Sequence, residues 1–153
     1  MSVSTTLTDF VVDKIQGLSS VEVCVPYESL QYSGYPAVSV SLPTLDGEFS
    51  STAENSRIFG FSINIFFPLG KDVETPKTMP REQYADRVVA TVIDDIIDAF
   101  DTDFTAANLG LPSTYTVKYI EAADGRPFYI NLENGEHRGA EITLRFYTER
   151  TVV

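Results

Sequence analysis

The stretch from Arg57 to Phe67, RIFGFSINIFF, alternates between two kinds of side chain. Successive side chains of a β-strand point to opposite faces of a sheet, so this pattern predicts a strand with one apolar face. The positions between the apolar residues include Gly60, Ser62 and Asn64. We therefore expect one side to lie in the core and the other to present a small, polar surface. The apolar positions are Phe59, Phe61, Ile63, Ile65 and Phe67.

Two helices and four further strands are predicted around this strand. Apolar residues recur at helical spacing over 7–18, and a wide apolar stripe runs from Pro80 to about Phe100. Short alternating runs predict the other strands, at 21–25, 38–42, 115–119 and 140–146. Neither period is present in the remaining long segments, which we predict as connections: 44–56, 68–80 and 123–137.

The predicted order of elements is α-β-β-β-α-β-β, in a single domain that spans residues 1–153. One helix is too narrow to cover about five strands, whereas two helices cover one face of such a sheet. We therefore predict an α+β fold with two layers. Its sheet is expected to be mainly antiparallel, with both helices on one face.

Composition limits the classes of function. The chain carries 22 acidic and 11 basic residues, a formal net charge of −11. Such a surface repels nucleic acid, whose tight binding depends on Lys and Arg at the phosphates. Cys24 is the one cysteine, so no internal disulfide forms and a reducing compartment is expected. No signal peptide or membrane-spanning run is visible, so we expect synthesis in the cytosol and no membrane association.

The polar side of the sheet is the first candidate functional surface. In one interpretation it simply faces water, as one face of an antiparallel sheet often does. In the other, this flat face and the edge strands beside it meet another subunit, because open sheets leave edges that need a partner. The interface residues predicted in that case are Ser39, Ser41, Gly60, Ser62, Asn64, Thr143 and Arg145.

No catalytic signature is visible. Cys24 and His137 are the sole thiol and imidazole, and Cys24 lies in an alternating strand where a free cysteine is usually a small buried hydrophobe. One Cys and one His are too few for a zinc site. Phosphate-binding glycine motifs and a nucleophile elbow are also absent. We expect no enzymatic activity, no metal and no cofactor.

Acidic residues cluster at the end of the second predicted helix, among them Asp94, Asp95 and Asp98. Asp94 and Asp98 are one helical turn apart, a spacing that suits a divalent cation, but a solvated helix face explains it as well. Acids near a helix C-terminus oppose the helix dipole at a cost of about 0.3–1 kcal/mol each. Something other than helix stability therefore favours them here.

Three segments resemble the tail terminator family of long-tailed bacteriophages, also called tail completion proteins. The first, LTDFVVDKIQGLSSVEVCVPYESLQYSGYPAVSVSLP, is similar to the family's opening helix and valine-rich strands. AENSRIFGFSINIFFPLG resembles its central strand, which follows a long loop, and REQYADRVVATVIDDIIDAFD resembles its main helix. The resemblance covers nearly the whole chain and depends on the order and spacing of elements rather than on one motif.

This resemblance implies a homo-oligomeric ring, commonly of six subunits, in the tail or neck of a virion. The ring sits on the last ring of tail tube protein, stops tube growth and joins the tail to the head connector protein. DNA passes through its channel without specific binding. Acidic side chains around the channel would repel the phosphate backbone, and we nominate Asp94, Asp95 and Asp98, or acids of the 44–56 segment, as its lining.

Other classes of protein fit parts of the same pattern. A soluble acidic decoy that imitates DNA and occupies a basic protein would also be strongly negative, although its carboxylates would follow one stripe. A different neck or head-completion protein, or a component of a contractile injection machine, would share the physics of a ring. The oligomeric state and binding to tail tubes separate these alternatives.

Overall fold

The computed structural model describes residues 2–29, 31–49, 54–70, 75–101, 104–132 and 135–151. Within these ranges the chain forms two helices, α1 (Val3–Gln16) and α2 (Arg81–Phe100). The strands are β1 (Val23–Val25), β2 (Ala37–Val40), β3 (Thr44–Phe49), β4 (Glu54–Pro68), β5 (Tyr115–Leu132) and β6 (Gly135–Thr151). Along the chain, the helices and strands follow the order α-β-β-β-β-α-β-β.

The described strands form one six-stranded sheet with the order β1-β2-β4-β6-β5. β3 pairs with the first part of β4, beyond the part that β2 covers. β1 and β2 are parallel, and the other pairings are antiparallel. The central pair is long, since β4 and β6 stay paired from Glu54 opposite Thr151 to Pro68 opposite His137. The predicted α+β fold is confirmed, with one strand more than expected.

The main core lies between the sheet and the two helices, which pack on the same face as predicted. RIFGFSINIFF supplies its centre, because Phe59, Phe61, Ile63 and Ile65 are at most 1% exposed. Burial of such side chains stabilises the fold by about 1.5–3 kcal/mol each. The helices contribute residues at helical spacing: Leu7, Val11 and Ile15 from α1, and Ala85, Val89, Val92, Ile96 and Phe100 from α2.

The predicted helix boundaries are close to those observed. α2 begins directly after Pro80, which serves as its N-cap, and ends at Phe100. α1 begins four residues before the first apolar position, at Val3, because the Ser2 side chain accepts a hydrogen bond from the Thr5 N–H at 3.1 Å. A serine in this position satisfies one of the free N–H groups of the first turn.

Two predicted connections are wrong. In the 44–56 segment, β3 pairs with the first residues of β4, and residues 50–53 lie outside the described part. In the 123–137 segment, β5 continues to Leu132 and β6 begins at Gly135, with residues 133–134 outside it. Register shifts between Val117 and Tyr119 and between Ala123 and Arg126 interrupt the alternation of β5. Such bulges remove the period-two pattern by which a strand is recognised in sequence.

Candidate assembly surface

The face of the sheet that points away from the helices, here called the outer face, carries the predicted polar group. Pairing of β4 with β6 places Ser62 opposite Thr143 and Gly60 opposite Arg145. Ser41 joins them, because its hydroxyl donates to the Ser62 carbonyl and accepts from the Ser62 N–H, both at 3.2 Å. The predicted residues therefore share one face, and their role as an interface stays a prediction.

These residues line a shallow groove of about 240 Å³ on the outer face. Leu42 lies at its rim and is 69% exposed, which is unusual for a leucine that has a core nearby. The groove is lined by Ser41, Leu42, Thr44, Asp46, Gly60, Phe61, Ser62, Thr143 and Arg145. Small floor residues beside an exposed leucine make a surface that accepts side chains from a partner.

Ser39 was predicted as part of this surface, and that prediction is wrong. Its side chain is 0% exposed, so it cannot contact another subunit. The connection between β1 and β2 folds back over this end of the outer face, where Tyr32 stacks on Phe66 with ring centroids 5.3 Å apart. A second, smaller core results, built from Tyr32, Ala37, Phe66 and Leu132.

The outer face is therefore not uniformly small and smooth, which corrects the expectation from RIFGFSINIFF. Asn64, another predicted interface residue, lies opposite Glu141 in a second groove of about 420 Å³. Tyr32, Phe66 and Phe128 form the apolar walls of this groove. The even-numbered residue Phe66, inside the quoted stretch, is the signal in the sequence that pointed to an apolar patch on this side.

A pair of tyrosines marks the β5 side of the outer face. Tyr119 and Tyr147 stack with ring centroids 4.2 Å apart, yet Tyr119 is 52% exposed. Partial burial and the adjacent Tyr147 raise the pKa of Tyr119 above its ordinary value. Next to the pair, Arg145 contacts Glu121 at 3.0 Å, and both side chains are partly exposed. Exposed tyrosine and arginine are typical of protein–protein contacts.

The sheet edges differ in how they are protected. At the β1 edge, the Gln16 side chain accepts a hydrogen bond from the Cys24 N–H at 2.8 Å and donates to the Glu22 carbonyl at 3.2 Å. This amide occupies the position that a further strand would take. No described strand pairs with the outer side of β5 or of β3. These are the edges on which another chain can add.

The predicted channel residues lie in the other layer of the protein. Asp94 and Asp98 are exposed on α2, and Asp95 is half-buried. α2 packs on the opposite side of the sheet from the outer face, so these acids do not join the polar group there. Within the described residues, no group of three His, Cys, Asp or Glu side chains is placed to hold a metal ion. Their position at a channel stays a prediction.

Cys24 and His137 do not form a catalytic pair in the described structure. Cys24 belongs to the main core, where burial and, to a smaller extent, Asp13 raise the pKa of its thiol to about 12. A thiol that stays protonated is a poor nucleophile. The alternation of β6 puts His137 on the outer face, where its ring lies 5.1 Å from that of Tyr35.

His137 is expected to make the stability of the protein depend on pH. Its Nδ1–H donates to the Gly135 carbonyl at 2.8 Å, and its buried Nε2 has no hydrogen-bond partner among the described residues. Burial lowers the pKa of His137, although the hydrogen bond to Gly135 opposes the shift. The unfolded chain binds a proton near pH 6.5 and the folded chain only at lower pH, so stability falls as pH drops through this window.

Urea unfolding of the wild type and of His137→Gln between pH 8 and pH 5 measures this contribution. We expect the wild type to lose more stability over the range than the variant, which has no imidazole to protonate. The difference converts to a pKa shift at about 1.4 kcal/mol per unit. Equal pH slopes for the two proteins would contradict the prediction.

No protein-family model matches the chain, and no curated protein matches it. No helix in the described part of the chain is long and apolar enough to cross a membrane. The function is therefore inferred from the outer face, the open edges and the charge.

Proposed function

We propose that this chain is a structural protein of a bacteriophage virion: a tail terminator that forms a ring on the end of the tail tube. The ring stops tube growth and joins the tail to the head connector, and it leaves a channel for DNA. The observation that carries the proposal is the coexistence, in one protomer, of two open sheet edges, β3 and β5, on opposite sides of the sheet. Two different contact surfaces on one protomer are what a closed cyclic assembly requires.

The chemistry of the outer face supports a protein partner rather than a substrate. Tyr119, Tyr147 and Arg145 are the exposed aromatic and guanidinium groups that bind well at interfaces. The two outer-face grooves are shallow and carry no histidine or cysteine in their linings. Such a surface can bury the side chains of a neighbour.

The negative charge supports the passage of DNA without binding. Each copy carries a formal net charge of −11, so a ring of several copies surrounds its channel with strong negative potential. Neighbours that meet through edges and the outer face leave the exposed side of α2 free. Asp94, Asp95 and Asp98 then line the channel and repel the phosphates. This role also explains acids at the helix end that the dipole disfavours.

The test uses purified protein and tubes assembled from the tail tube protein encoded in the same genome. We expect rings about one tube wide at tube ends in negative-stain images, and no further elongation when labelled tube protein is added. Thr143→Arg fills the shallow groove of the outer face and is expected to lower capping at least tenfold. Ala90→Arg places the same side chain on exposed α2 and is expected to cap normally.

A chain that stays monomeric and leaves tube elongation unchanged would reject the proposal. If the same chain then inhibited a basic DNA-binding enzyme, the acidic decoy would be the better interpretation. Rings that bind the connector but not the tube would instead indicate a different neck or head-completion protein.

A further inference from the structure

A groove of about 450 Å³ runs beside the first half of β5. Six consecutive residues of this edge strand, Tyr115 to Ile120, form one wall, and the turn Phe104–Ala106 forms the other. Tyr115, Val117 and Ile120 pack against the main core from this strand. The Tyr115 N–H donates to the Pro112 carbonyl at 3.0 Å, and no described strand pairs with the outer side of the residues that follow. The groove therefore offers an open strand edge from residue 116 together with an apolar pocket wall.

Grooves with an edge strand on one side typically receive an extended chain. The added strand forms main-chain hydrogen bonds with the edge, and its alternate side chains enter the pocket beside it. An occupant must therefore supply an unpaired strand of similar length. It must also supply an exposed apolar side chain on the helix side of the sheet, because Phe104 and Ala106 lie in that layer and pack against the main core.

β3 has both properties. It spans six residues, Thr44–Phe49, and no described strand pairs with its outer side. Leu45 lies opposite the core residue Phe59, which places its side chain on the helix side of the sheet. Leu45 is nevertheless 54% exposed, so its own protomer leaves much of it uncovered. When a sheet continues from one copy to the next, Leu45 of β3 faces the wall formed by Phe104 and Ala106.

Other strands of a second copy fit less well. The edge of β1 is occupied by the Gln16 side chain. Pairing of β5 with β5 around a two-fold axis centred on the groove brings Val117 and Ile120 of the second copy, which already pack in their own core, whereas the exposed Tyr129 lies outside the part of β5 that lines the groove. Both grooves would then remain unfilled. β3 is the described open edge other than β5 that supplies an exposed apolar side chain for the groove.

We propose that β3 of one copy adds to the β5 edge of the next, with Leu45 inserted beside Phe104. The contact is heterologous, so each copy keeps one free β3 and one free β5, and the sheet continues around a ring. This inference deepens the ring of the proposed function by naming the strands that join its subunits. The aligned outer faces then place Asp46 and the Tyr119–Tyr147 pair near the same junction.

Cysteine cross-linking of the full chain tests the pairing without any tail component. The double variant Leu45→Cys/Ala106→Cys is treated with a short bis-maleimide. Cys24 is buried, so it does not compete. We expect a ladder of covalent oligomers from the double variant at protein concentrations up to about 1 mM. Each single variant should give no ladder.

The possible results separate the models. A dimer from Ala106→Cys alone would indicate two-fold β5 pairing and overturn the proposal, as would the absence of any product from the double variant. Leu45→Lys should weaken self-association at least tenfold in sedimentation velocity. Tyr27→Lys changes an equally exposed apolar residue, 58% against 54%, and should associate like the wild type. An equal loss of self-association in Leu45→Lys and Tyr27→Lys would also overturn the proposed pairing of β3 with β5.

The cross-linking test and the capping test examine different proposals, so either proposal can be rejected while the other is kept. A ladder from a protein that ignores tail tubes would keep the strand pairing and reject the terminator function. Capped tubes without a ladder would keep the function and reject the pairing.

Discussion

Replacement of Phe146 by alanine is expected to lower the free energy of unfolding by about 3–5 kcal/mol. Phe146 is 0% exposed on β6, at the point where three elements meet. Its ring contacts Phe61 of β4 edge-to-face at 5.7 Å and Phe100 of α2 at 6.4 Å. The variant loses both contacts and leaves a cavity between the sheet and α2, where neither layer can move freely to fill it.

Urea unfolding followed by circular dichroism measures this loss, and the adjacent residue provides the control. Tyr147→Ala removes a larger side chain from the same strand, but on the outer face, where Tyr147 stacks on the exposed Tyr119. We expect a loss of about 0.5–1.5 kcal/mol there, the range for an aromatic pair. Similar losses for the two variants would contradict the assignment of faces that follows from the register of β4 and β6.

The layers of the fold were predictable because one period dominates each central element. RIFGFSINIFF alternates from Phe59 to Ile65, and the stripe of α2 keeps helical spacing from Ala85 to Phe100. Each pattern arises from an element that is buried on one side only. Burial requires an apolar residue about once per turn in the helix and at every second residue in the strand. The position of the helices on one face follows from the same restriction.

The pairing of β3 with β4 and the full length of β5 beside β6 were not predicted. β3 and β5 are edge strands, and burial does not impose a regular apolar pattern on them. β3 reads TLDGEF and contacts the rest of the sheet mainly through its backbone pairing with β4. β5 contains bulges and Pro127, whose missing N–H is tolerated on an edge strand. Pairing with a long central strand determines both elements, and a short window of sequence does not contain that information.

The predicted residues that face each other on β4 and β6 lie on the outer face as expected, whereas Ser39 lies on that face but is buried. Ser39 follows Ala37 of the smaller core on β2, and in that core Tyr32 reaches Phe66 from a connection more than thirty residues earlier in the chain. The contact that closes the β1 edge is made by Gln16, an ordinary helix residue eight positions before Cys24, and no pattern in the sequence marks it. The strand that forms the floor of the outer face could therefore be predicted from the sequence, but the residues that cover parts of this face and of its edges could not.

Gly139→Val is expected to destabilise the protein by about 3 kcal/mol, at the upper end of the range for overpacking. Gly139 is buried on β6 opposite Phe128 of β5. A side-chain carbon added there would overlap the Phe128 ring and lie 2.7 Å from the backbone oxygen of Ile65. The ring of Phe128 covers this glycine in place of a side chain, an arrangement that stabilises glycine within strands.

Two further variants show whether this contact is the cause. Gly70→Val is the matched control, because a carbon added at Gly70 meets no atom of the described residues within 4 Å, and we expect a change within about 0.5 kcal/mol. Phe128→Leu in the Gly139→Val background is expected to restore part of the stability, since the smaller side chain yields space. The restoration is incomplete because the Ile65 carbonyl belongs to β4 and cannot move without breaking the central pairing. Strictly additive losses would show that Phe128 and residue 139 do not compete for the same volume.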